Sequence, residues 1–156
     1  MDLWITHTKV ENMDLTKKPP RSPRTRLHGY VIAARMIDKL RATIAKTNGE
    51  YHYACPVDQV FLKHKKIDPE KLKEYVKENK STDSQIMQWM DENGAVDTVD
   101  ERLIWSQEQD MTFPMKSGIK EYMDWYVGFC AESGIDPQTS TQFDSLDIDD
   151  EKSFSS

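Results

Sequence analysis

SPRTRLHGYVIAARMIDKLRATIAKTNG, residues 22–49, decides the fold class. Ser22 followed by Pro23 is the order expected of a helix cap and first helical residue. The serine oxygen accepts from an early amide, and proline has no amide to leave unpaired. Asn48-Gly49 is the matching stop, because a left-handed backbone costs these residues least. Between them Tyr30, Ala33, Ile37, Leu40 and Ile44 recur at intervals of three and four, the period of one helical face. The pattern predicts a long helix from Ser22-Pro23 to about Lys46, with Gly29 as a mild weakness or point of close packing near its start.

Downstream the same grammar repeats. Tyr51 to Ala54 reads as extended or turn-like and ends at Cys55-Pro56, after which Asp58, Val60, Phe61 and Leu62 suit a short helix. Asp68-Pro69 restarts a helix with Leu72, Tyr75 and Val76 on its buried side. Ser81-Thr82-Asp83 opens another, carrying Ile86, Met87, Trp89 and Met90, closed by Asn93-Gly94. Thr98 with Glu101 is a capping box, predicting a helix with Leu103, Ile104 and Trp105. Ile119 to Phe129 gives a last helix, Tyr122, Met123, Tyr126 and Val127 inward, ended by Ser133-Gly134. Trp89, Trp105, Tyr122, Trp125 and Tyr126, at helical spacing, are read as core. Only Tyr51 to Tyr53 shows strand-like alternation, and no repeat period is visible. The expected fold is all-α, a single-domain irregular bundle of about six helices with an extended N-terminal segment and an acidic C-terminal tail. Its expected parts are a flexible leader over 1–12, a helical domain over 13–143 and an acidic tail over 144–156.

With 156 residues, 31% charged, and a mean hydropathy of −0.75, the chain has material for one modest core beneath a highly charged surface. No apolar run approaches the roughly 20 residues that cross a bilayer. The opening MDLWITHTKVEN lacks a basic flank and apolar stretch, so the expected location is cytoplasmic with Cys55 and Cys130 reduced. A net charge of −6 repels phosphate backbones, and the basic cluster Lys17, Lys18, Arg21, Arg24, Arg26 has no interleaved aromatics; nucleic acid is therefore not an expected partner, nor is a membrane. That cluster and the acidic Asp144, Asp147, Asp149, Asp150, Glu151 are expected to attract each other, within one chain or in a homo-oligomer.

Three groups of residues carry candidate chemistry. Cys55, at the start of a helix, has the geometry that favours a thiolate, but Asp58 in the same turn opposes it. His64 lies half a turn out of phase, and His52, three residues earlier in an extended chain, points to the opposite side. A structural cap or buried thiol is the plainer reading; Cys55 as nucleophile, or Asp58 with His52 as an acid–base pair, is the enzymatic alternative. His52 and Cys55 with only Cys130 left fall short of the four ligands of a structural zinc site, so no metal and no cofactor are expected. In ARMIDKLRA, Arg35, Asp38, Lys39 and Arg41 stand at helical neighbour spacings, Asp38 and Arg41 continuing a line through Val31 and Ala34 beside the apolar stripe. The plain reading is a solvated ion-pair face; the functional one is an anchor for other segments or a clamp on a small anion. Tyr51 and Tyr53 around His52, beside a helix start, suit a pocket for an anion. Residues 141–156 alternate Phe143, Leu146 and Ile148 with aspartates, a composition often disordered until docked. Phosphate loops and a Gly-x-Ser-x-Gly elbow are absent.

DLTKKPPRSPRTRLHGYV, AARMIDKLRA, GEYHYACPVDQVFLKHKKID and FDSLDIDDEK, in that order, resemble the bacterial domain-of-unknown-function family DUF5069, from about Asp14 to about Lys152. The resemblance implies a small, soluble, stand-alone protein and supplies no activity, cofactor or catalytic residue. The expected function is a non-enzymatic module that binds a partner protein or a small anionic ligand through Arg35, Asp38, Lys39, Arg41, Tyr51, His52 and Tyr53.

Overall fold

A computed structural model describes residues 13–155; the expected leader lies outside them. The described chain contains seven α-helices: α1 Ala33–Ala45, α2 Pro56–Lys65, α3 Pro69–Asn79, α4 Asp83–Asn93, α5 Val99–Asp110, α6 Lys120–Ser133 and α7 Gln142–Phe154. A 3-10 turn, Pro114–Lys116, precedes α6, and the described residues form no strand. All-α is correct, with one helix more than expected.

The additional helix is α7, in the segment read as an acidic tail. Thr141 accepts from Asp144 N–H while the Asp144 carboxylate accepts from Thr141 N–H, a reciprocal cap. Phe143 then buries to 1% exposure in the core, and Leu146 packs against it. Burying one full aromatic side chain is worth on the order of 3 kcal/mol, enough to order a segment whose aspartates also find cations. Arg24 binds both Asp144 and Asp147, and Ser22 Oγ donates to Asp147 at 2.7 Å.

The first helix begins later than its sequence suggests. Leu27 and Tyr30 exchange backbone hydrogen bonds at 2.9 and 3.0 Å, across a turn in which His28 and Gly29 both have positive φ. Gly29 is therefore a turn residue, not a weak point in a helix. Ile32 stands at φ +73°, which no α-helix accommodates, so α1 starts only at Ala33. Ser22 and Pro23 cap nothing; Pro23 O accepts instead from Ile32 N–H.

Every residue from Tyr30 to Leu40 is buried, Arg35, Asp38 and Lys39 included. The solvated face expected of ARMIDKLRA does not exist: α1 is a central rod, enclosed on all sides as far as Leu40 and partly buried beyond it. α2 and α3 pack on it, and its apolar side chains meet Phe61, Leu62, Leu72, Val76, Ile86, Met87, Met90 and Phe143. The predicted starts of α2 to α5 hold, with Cys55-Pro56, Asp68-Pro69, Thr82 and Thr98 in cap position. Gly94 after α4 is required for a close approach: a β-carbon there would stand 2.2 Å from Lys65 O.

Helices α5 and α6 are more superficial than read. Leu103, Ile104, Trp125 and Val127 were expected inward and are all exposed, because α5 buries only Ser106 and α6 only Tyr126 and Cys130.

Candidate functional site

The Asn48–Cys55 corner places the candidate residues. Tyr51 N–H donates to Asn48 O, Asn48 Nδ2 donates back to Tyr51 O at 2.8 Å, and Ala54 stands at φ +61°. Of the two expected forms, extended or turn-like, the segment takes the turn, so His52 and Cys55 line the same cavity instead of facing apart. Cys55 occupies the N-cap position of α2 but makes no side-chain cap. Its Sγ instead meets Lys39 Nζ at 3.1 Å.

Around this corner lies a cavity of about 550 Å³. Arg35 and Lys39 of α1 enter it beside Tyr51, His52 and Cys55, while Leu15, Val57, Leu146 and Phe154 supply apolar wall. Neither cation is free of a partner. Lys39 Nζ lies 2.9 Å from Asp58 Oδ2, which also accepts from Ala54 N–H at 2.9 Å. Asp58 is wholly buried, and its Oδ1 has no hydrogen-bond partner. Burial pushes its carboxyl up, and the pull of Lys39 does not fully offset that. Arg35 grips Asp150 with two nitrogens at 2.7 and 3.2 Å, and Tyr51 OH donates to the same carboxylate at 2.8 Å. The Arg35 guanidinium also sits 5.6 Å from the centre of the Tyr51 ring. Burial, then the adjacent Asp150 charge, holds the Tyr51 phenol above its ordinary range.

The remaining candidates go elsewhere. Asp38 turns to the other side of α1, where Arg21 donates to it from both main chain and guanidinium. Arg21 continues to Asp83, which Arg41 reaches at 2.7 Å while also bonding Ser81 O. Arg35 and Lys39 therefore share one face, and Asp38 and Arg41 another, each bound to distant segments and not to each other. Tyr53 donates to Pro69 O at 2.8 Å and does not line the cavity. His52 is exposed and makes no hydrogen bond to Asp58 or Cys55, so the Asp58/His52 pair is not assembled. Among the described residues, no three His, Cys, Asp or Glu side chains gather as a metal site.

Sequence reasoning placed Arg21 and Asp150 in the mutually attracting charged clusters and Leu146 among the apolar residues of the tail, but gave none of them, nor Phe154, a place at the candidate site. Leu146, Asp150 and Phe154 follow Phe143 at helical intervals, and Thr141 with Asp144 is the same cap grammar read correctly at Thr98, so the signal was present.

Fold and site together define a small all-helical protein with a polar-floored, partly apolar cavity beside its central helix. The model of the domain of unknown function DUF5069 matches residues 17–152, and the chain belongs to that family. No match was found among curated proteins. Among the described residues no helix is long and apolar enough to cross a membrane.

Proposed function

We propose that this chain is a non-enzymatic binding module that takes a small ligand with one anionic head and an apolar body in the cavity between α1, the Asn48–Cys55 corner and α7. One observation carries the reading: Arg35, Lys39, Tyr51 and His52, singled out as anion-binding candidates, share the wall of a single cavity large enough for a small molecule. An ammonium has three donors. Lys39 commits two, to Asp58 and Cys55, leaving one for a carboxylate or phosphate oxygen. Because Asp58 and Asp150 already neutralise the two cations, and Asp149 also lines the cavity, a single anionic group suits the site better than a polyanion. Leu15, Val57, Leu146 and Phe154 receive the apolar part.

The test is a thermal-shift screen of aliphatic and aromatic carboxylates and monophosphates, followed by amide chemical-shift mapping. Binding should perturb Tyr51, Cys55 and Phe154 and leave Arg41 and Asp83 still. No stabilisation at millimolar concentration, or shifts confined to the Arg21 side, ends the proposal.

The enzymatic alternative keeps one observation, the Lys39 ammonium against the Cys55 sulfur at 3.1 Å. It requires Cys55 to alkylate faster than a free thiol at neutral pH; a rate at or below that of a free thiol removes the nucleophile.

A further inference from the structure

Lys39 and Cys55 form a pair that binding does not explain. Lys39 is only 3% exposed, Cys55 is half-buried with its residue on the cavity wall, and nitrogen and sulfur stand 3.1 Å apart. That is the separation at which reacting atoms stand before a bond forms. A small oxidant entering the cavity meets this sulfur, whereas Cys130 is fully buried against Tyr126 and Ser140.

We propose that Lys39 and Cys55 are a redox modification site, joined by a sulfur–nitrogen cross-link when a peroxide oxidises Cys55. In the first step the Cys55 thiol and one hydrogen peroxide give the sulfenic acid and water. Sulfur loses two electrons, and the peroxide O–O bond is reduced and broken. In the second step the Lys39 ammonium passes a proton to Asp58, 2.9 Å away, and its freed lone pair attacks the sulfur. The S–N bond forms as the S–O bond breaks, and the hydroxyl leaves with a second nitrogen-bound proton as water. Lys39–NH₃⁺, Asp58–COO⁻ and Cys55–SOH become Lys39–NH–S–Cys55, Asp58–COOH and water, with atoms and charge balanced.

The surroundings fit both ends of this reaction. Asp58 is the proton acceptor the amine needs, and burial already favours its neutral form. Before the reaction a buried ion pair stands there; afterwards lysine and aspartate are both uncharged, so no lone charge is stranded in the interior. The bond would staple α1 to the start of α2 and remove the donor at the cavity floor. The proposal needs no ligand and stands apart from the binding reading.

The experiment treats the folded chain with hydrogen peroxide and reads intact mass and peptide map. Expected is a loss of about 2 Da, since two hydrogens leave and no oxygen stays, with a linked peptide pair containing Lys39 and Cys55 that a thiol reductant separates. K39R keeps a cation beside the sulfur but has no nucleophilic amine, so it should give oxygenated Cys55 without the link. D58N should slow linking several-fold. Wild-type protein that accumulates sulfinic Cys55, a gain of about 32 Da, without a linked pair overturns the proposal, as does linking that survives in K39R. The wild-type map decides even if a variant fails to fold.

Discussion

Two places in this molecule are built from the same parts and finished differently. At one, Tyr30 OH and His64 Nε2 both meet Asp97 at 2.6 Å; at the other, Tyr51 OH and Arg35 both meet Asp150. Each is a tyrosine, an aspartate and a nitrogen base joining distant segments. Beside Asp97 the aromatic rings pack together: Trp105 stacks on His64 with ring centres 4.8 Å apart, and Phe61 lies edge-on to Tyr30, which is 1% exposed. Around Asp150 the aromatic neighbour is Phe154, 6.5 Å from Tyr51 across a parallel stack, and a cavity opens beside it. Matching hydrogen bonds therefore do not by themselves mark a site. What separates the fastener from the candidate binding place is the unfilled volume next to it.

The most damaging test of that distinction lies at the cavity floor. Lys39→Met takes the cation away from the enclosed Asp58 carboxyl and should cost about 3–5 kcal/mol in urea unfolding at neutral pH. Adding Asp58→Leu should recover most of the loss; a single variant near wild-type stability would mean that water already reaches Asp58. Tyr30→Phe should cost about 1–2 kcal/mol, because the Tyr30 side chain that donates to Asp97 is buried. Tyr51→Phe should cost less, since the opening lets water replace the phenol. Equal costs would erase the contrast between open and closed places.

Acid sharpens it further. Burial raises the Asp97 carboxyl, but the hydrogen bonds from Tyr30 and His64 more than offset this, and its pKa is lowered. Its contribution is thus fully present above the unfolded carboxylate value and disappears as pH falls through the lower folded value. Asp58, with a raised pKa, has the opposite sign: its ionised form costs stability above the folded value, and that cost is relieved as pH falls through it. Stability curves of Asp97→Asn should be flatter than wild type in acid, and those of Asp58→Asn steeper. The smallest effect belongs to Trp125→Ser, within about 0.5 kcal/mol, because that ring is exposed.

Local grammar in the sequence was reliable where it ruled alone. Thr82, Thr98 and Asp68 cap as their side chains dictate, since a cap involves only three or four neighbouring residues. It failed at Ser22-Pro23, where the Leu27–Tyr30 turn and positive-φ Ile32 override a good cap. It also failed on depth. The period of α1 marks one apolar stripe, yet Arg35, Asp38 and Lys39 are buried because Asp150, Arg21 and Asp58 arrive from elsewhere in the chain. The candidate site was half legible: the two cations and the Tyr51 corner stood out by residue type, while the spacing and cap of α7 mark a helix but not which face of α1 it covers.

That contact has a consequence for how the protein is made. During synthesis α1 and α2 leave the ribosome well before residues 142–154. Until that helix emerges, Arg35 has no Asp150 and the cavity lacks the wall that Leu146 and Phe154 supply.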